Sequence, residues 1–199
     1  MVRPHPGAAR QAMNPLFDAA RDLQVFLESR GWRFCFIGGL AVLRWGEPRF
    51  TRDVDVTLLC PFGSEDDFSE PLLASGYDGR ISDAGEFARQ SRVLLLRGSQ
   101  GVPIYIALAA LPYEEGLVER SSLFEFATRC ELRTCAAEDL VILKLFAFRP
   151  CDVLDAETVV IRQRGTLDWC YIEANLEPLA EVKGQPQIMA TLERLKQAR

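Results

Sequence analysis

Histidine is almost absent from this chain: the only one is His5, in a stretch rich in proline and glycine. Imidazole titrates near neutral pH, so its absence from the body of the sequence argues against a histidine general base or a histidine metal cluster. No G-x-x-x-x-G-K-[ST] segment occurs, which excludes a P-loop NTPase. No G-x-S-x-G segment occurs either, and without an internal histidine a serine hydrolase is excluded as well. The six cysteines, at 35, 60, 130, 135, 151 and 170, include no C-x-x-C pair. They read as buried free thiols rather than a disulfide framework or a zinc site. No apolar run approaches the length of a membrane span; LVILKLFAF (140–148) is short and interrupted by Lys144. The N-terminus lacks the apolar core of a secretory signal, so the expectation is a cytoplasmic protein with no membrane partner. Positive charge is not in excess: 23 Lys and Arg stand against 28 Asp and Glu, a formal net charge of −5. That excludes a broad nucleic-acid-binding surface but leaves room for a local basic cleft.

What is present is an ordinary globular composition, 48% hydrophobic and 26% charged over 199 residues, enough for a real core. Residues 1–13 read as a loose tail. NPLFDAARDLQVFLESRG (14–31) has helix-start residues, apolar positions at 3 to 4 spacing and a closing glycine. RFCFI is a short strand running into Gly38-Gly39, LAVLRW begins a helix, and EPRFTR connects to the strand DVDVTLL (53–59). Residues 64–75 resume a helix. VLLLR (93–97) and VPIYIALAAL (102–111) form a hairpin through GSQG, and FEFAT and ELRTC are further short strands. From Ala136 onward four segments carry helical patterns. The fold class is therefore α+β: a mixed α/β core over 14–135, then a helical region over 136–199. Phe124, Phe126, Phe146, Phe148, Trp169 and Tyr171 occur at strand or helix spacing and read as core, as do Trp32 and Trp45.

The chemistry concentrates in TRDVDVTLL (51–59). Residues i and i+2 of a strand share a face, so Asp53 and Asp55 bring two carboxylates together. Such a pair repels itself and invites a cation. Mg²⁺ suits it, being a hard ion that takes carboxylates and bridges to substrate phosphates. The plain alternative is a solvated sheet edge. Upstream, Gly38-Gly39 at a strand end, with a helix behind, lets backbone amides approach a phosphate. Lys144 is anomalous in its apolar helix: it either snorkels to solvent or meets a partner such as a triphosphate. Asp152 and Asp155 either orient Lys144 or Arg149 or form an acidic helix N-terminus.

FIGGLAVLRWGEPRFTRDVDVTLL (36–59) resembles the signature of the nucleotidyltransferases of the DNA polymerase beta superfamily, in particular the AbiEii-type toxin and minimal nucleotidyltransferase branch. EDLVILKLFAFRPCDVLDAE (138–157) is similar to that family's Lys, Arg, Asp-x-x-Asp helical motif. The resemblance implies that Gly38 and Gly39 hold nucleotide phosphates and that Asp53 and Asp55 bind two Mg²⁺ ions. It also implies that Arg49, Thr51 and Arg52 contact phosphate or ribose, and that Lys144 reaches the triphosphate. The implied activity is transfer of a nucleoside monophosphate from an NTP, ATP included, to a hydroxyl on a tRNA or a protein. The implied setting is a toxin–antitoxin pair with a cognate antitoxin partner.

The pattern departs from the family at one position. Where relatives carry a third carboxylate on a later strand, this chain reads Ile104-Tyr105-Ile106. Phenol ionises near pH 10 and is a poor Mg²⁺ ligand, so a second ion would be weakened. Three readings stay open: another acid such as Glu86 or Asp83 serves, two carboxylates suffice, or the protein binds nucleotide or a partner without transferring anything.

Overall fold

The computed structural model describes residues 14–197; the loose tail expected over residues 1–13 lies outside them. Helix α1 (Pro15–Ser29) starts where Asn14 accepts a hydrogen bond from the Leu16 amide with Pro15 at the first position. Just beyond its end, Gly31 takes a left-handed φ of +66°. The chain continues through β1 (Phe34–Phe36), α2 (Gly38–Trp45), β2 (Val54–Leu59), α3 (Glu65–Ala74), β3 (Asp78–Gly79), α4 (Ala84–Ser91), β4 (Val93–Arg97) and β5 (Pro103–Ala109). Then come α5 (Pro112–Glu119), β6 (Ser122–Ala127), β7 (Cys130–Thr134), α6 (Ala137–Ala147), α7 (Pro150–Arg162), α8 (Trp169–Lys183) and α9 (Gln187–Gln197).

The strands form one mixed sheet in the order β3-β4-β5-β2-β1-β7-β6. Strand β2 pairs parallel with β5 and antiparallel with β1, while β4 and β5 form the expected antiparallel pair. Side-chain alternation gives the sheet two different faces. Val54, Val56, Leu94, Leu96, Ile104 and Ile106 point into a core shared with α1, α3 and α4. Each fully buried Leu or Ile there contributes about 1.5–3 kcal/mol. On the other face, Cys35, Ala41, Val42 and Leu117 pack with Leu140, Val141 and Leu145 of α6 and with α7–α9. That second core joins residues on both sides of 135. It covers the sheet over β1 and β2 but leaves Val93, Leu95, Tyr105 and Ala107 only half buried, an open shelf beside β2.

Several departures from the sequence reading have physical causes. Helix α4 (AGEFARQS) is eight residues long, polar in composition, and buries only Ala84 and Ala88, so it is too short for its pattern to be told from a loop. Helix α5 follows straight on an apolar strand; the Glu114 carboxylate accepts from the Ala110 and Leu111 amides and starts the helix there. Strand β3 is two residues long and carries no pattern. Cys151 and Cys170 are exposed, although the other four cysteines are buried and all six are free. Phe124 and Phe146 also reach solvent rather than the core. Among the described residues, no helix is long and apolar enough to cross a membrane.

Candidate active site

Asp55 is the first aspartate inside β2; Asp53 precedes the strand by one residue. Gly38, at a left-handed φ of +56°, opens α2 directly against Asp55: a Cβ there would stand 2.0 Å from Asp55 Oδ2. A Cβ on Gly39 would stand 2.2 Å from Thr51 Oγ1. The glycines therefore make room for the carboxylate and for the residue that supports its neighbour, since Thr51 Oγ1 donates to Asp53 Oδ1 at 3.1 Å. Burial and the charge of Asp53 push the Asp55 carboxyl up to about 6, despite the opposing pull of Lys144, the Gly39 amide and Arg149.

The cations come from the far half of the chain. Helix α6 ends at Phe148 in the left-handed conformation, and Pro150 starts α7 immediately, so the first turn of α7 folds back onto α6. Lys144 is 6% exposed and bonds Asp152 Oδ1 at 2.9 Å and Asp155 Oδ2 at 2.8 Å. It does not snorkel; burial lowers its pKa, but the two carboxylates more than reverse this and raise it. Arg149 Nε bonds Asp152 Oδ2 at 2.5 Å, and Arg49 grips Asp155 with two bonds of 2.7 Å. Burial pushes the Asp152 and Asp155 carboxyls up, but these donors outweigh it and both lie below the ordinary range. Three cations thus share two acids, and the surplus charge is felt at Asp55 through Lys144 and Arg149.

Of the residues singled out in the sequence, Gly38, Gly39, Thr51, Asp53, Asp55, Lys144 and Arg149 gather here, with Arg49 tying the loop to α7. Arg52 does not join them: it is exposed, 5.2 Å from the ring centroid of Phe50, which is itself 78% exposed. Arg49 reaches Asp155 and Thr51 reaches Asp53, while Phe50 and Arg52 face solvent.

Tyr105 stands directly beside Asp55 in the β2–β5 register. Glu86 and Asp83 are not beside it: α4 packs on the opposite face of the sheet, and Glu86 bonds Arg89 and Gln90. Arg80 carries no local signal in the sequence; its guanidinium lies 4.6 Å from the Tyr105 ring centroid. A cavity of about 490 Å³ lined by Trp32, Phe62 and Phe68 sits at the other end of β2, away from both aspartates.

The donor set is made of two hard carboxylates side by side, which fits Mg²⁺. Among the described residues, no three His, Cys, Asp or Glu side chains gather as a metal cage. Asp53 and Asp55 would supply two ligands, as in sites that Mg²⁺ completes with water and substrate phosphates.

No protein family and no curated protein matches the chain by sequence. Solved structures share its fold. An antigenic nucleotidyltransferase-like protein from Paracoccidioides brasiliensis superposes at a TM-score of 0.50 and 15% identity, covering 90% of this chain and 92% of its own. The antibiotic-resistance factor ANT(2'')-Ia superposes at 0.53 and 12% identity, covering 92% of this chain and 97% of its own. At these identities the likeness shows the fold, which is nucleotidyltransferase-like.

Proposed function

We propose that this chain is an Mg²⁺-dependent nucleotidyltransferase that moves a nucleoside monophosphate from an NTP to a hydroxyl acceptor. The observation that carries the reading is the Asp53–Asp55 pair, pressed against Gly38-Gly39 and facing the cations held on α6 and α7. The acceptor oxygen attacks the α-phosphorus and gives up its proton to solvent, the α–β bridge breaks, and pyrophosphate leaves with the electron pair of that bond. Such transfers need little covalent help from protein; positioning and neutralised charge supply most of the rate. Mg²⁺, when bound, assists the attacking hydroxyl and steadies the leaving pyrophosphate. In this reading Asp53 and Asp55 would hold the metal, and the Gly38 and Gly39 amides would line the phosphate path. Lys144 and Arg149 offset triphosphate charge, and Arg49 fixes the loop that carries Thr51. The resemblance of residues 36–59 to the AbiEii-type branch supports a tRNA or protein acceptor, a toxin role and an antitoxin partner.

Tyr105 beside Asp55 favours a second reading, in which the protein binds nucleotide without transferring it. Losing one hard ligand weakens the acceptor-side metal more than the nucleotide-side metal, so binding would outlast turnover. Pyrophosphate release separates the two. With Mg²⁺, each NTP, and total RNA or cell protein as acceptor, the transferase reading expects release from wild type and none from Asp53→Asn. NTP binding without release in wild type, together with release in Tyr105→Asp, would establish the second reading instead.

A further inference from the structure

The open shelf beside the two aspartates carries a cation that the nucleotide chemistry above does not use. The row of the sheet that contains Asp55 continues through Tyr105 on β5 and Leu95 on β4 to Arg80, whose amide donates to the Leu95 carbonyl at 3.0 Å. Asp55, Tyr105 and Leu95 all sit on the face away from the first core. The Arg80 side chain reaches back along that row, and its guanidinium stacks over the Tyr105 ring. With strands about 4.8 Å apart, this puts the guanidinium roughly one to two strand spacings from Asp55.

The guanidinium is costly as a structural feature. Arg80 Nη1 is cut off from water and has no hydrogen-bond partner, and Arg80 has no ion pair among the described residues. A buried donor left unsatisfied is costly, and more so when charged. An arginine on a sheet-edge turn avoids that cost by extending into water. This one is held over an aromatic ring instead, at the position next to Asp55 where an acid would complete a metal site. The side chain as a whole stays partly exposed on the shelf.

We propose that Arg80, braced by Tyr105, anchors an anionic group of the acceptor, a phosphoryl or carboxylate group neighbouring the hydroxyl that reacts. The inference rests on the nucleotidyltransferase reading and adds a selection rule to it. The part of the guanidinium that reaches the shelf can donate to an oxyanion, so a hydroxyl next to an anion is held beside Asp55. A cationic acceptor is repelled.

The test fills the donor site first, with Mg²⁺ and a non-hydrolysable ATP analogue, so that Lys144 and Arg149 are occupied. Inorganic phosphate and acetate are then titrated separately while the arginine Nε–H resonances are followed by NMR. The proposal expects the Arg80 resonance to move with anion concentration, and apparent affinity to fall at least tenfold in Arg80→Gln and much less in Arg80→Lys. Affinity for the ATP analogue should stay within twofold in both variants. Tighter binding of phosphate assigns a phosphoryl group, and tighter binding of acetate a carboxylate. Equal anion binding by wild type and Arg80→Gln overturns the proposal. Failure of the ATP analogue to bind wild type overturns the transferase reading itself, and this result is separate from the behaviour of Arg80.

Discussion

Gly38 shows how one residue type serves two demands. Its left-handed backbone suits glycine, and the volume a side chain would fill already belongs to the Asp55 carboxylate. Gly38→Ala therefore meets both a backbone penalty of about 1–2 kcal/mol and a direct clash. Chemical denaturation should show a loss at least that large, and Mg²⁺-dependent nucleotide binding should disappear with it. A variant as stable as wild type would mean that Asp55 moves aside easily. The Gly-Gly pair and the spaced aspartates were legible in the sequence because each breaks a local rule: glycine at a helix start and charge in an apolar strand. The reason for the glycines was only half legible, since a contact with Asp55 depends on how α2 meets β2. Arg80 was not legible at all. Its part in the site comes from pairing across four strands, which no local pattern encodes.

At the scale of elements, the turn from α6 into α7 holds the cations. Lys144 stood out in the sequence as a charge in an apolar helix, and its partners Asp152 and Asp155 lay one motif away. Their pairing follows from the tight turn at Phe148 and Pro150. Because the folded pKa values of Asp152 and Asp155 lie below the unfolded value of about 3.9, their contribution to stability is present above that pH. It is lost as pH falls through the folded values. Asp55, raised to about 6, and Asp139, also raised by burial, act in the opposite sense and regain stability on protonation. Thermal melts should show a steep loss of stability below about pH 4, and Asp155→Asn should be less stable at pH 7 with a shallower acid limb. An acid limb unchanged by Asp155→Asn would show that this network does not govern acid sensitivity. The strands other than β3 were readable as short apolar segments bounded by turn residues, and the long helices from their periodicity. Helices α4 and α5 were not, because each is only eight residues long, and α5 is started by the Glu114 side chain directly after an apolar strand.

Across the whole molecule, the site is assembled from two stretches far apart in sequence. The carboxylates come from the α2–β2 region and the cations from α6 and α7, brought together by a core that joins residues on both sides of 135. Nucleotide binding therefore reports on the complete fold as well as on two side chains. The most direct measurement is calorimetric titration of each NTP into wild type and into Asp53→Asn/Asp55→Asn, with Mg²⁺ and with excess chelator. The account predicts that at least one NTP binds wild type only when Mg²⁺ is present, and that this binding is lost in the double variant while its thermal melt stays cooperative. Binding that is indifferent to Mg²⁺ or to the two aspartates, or no binding of any NTP to wild type, would contradict it.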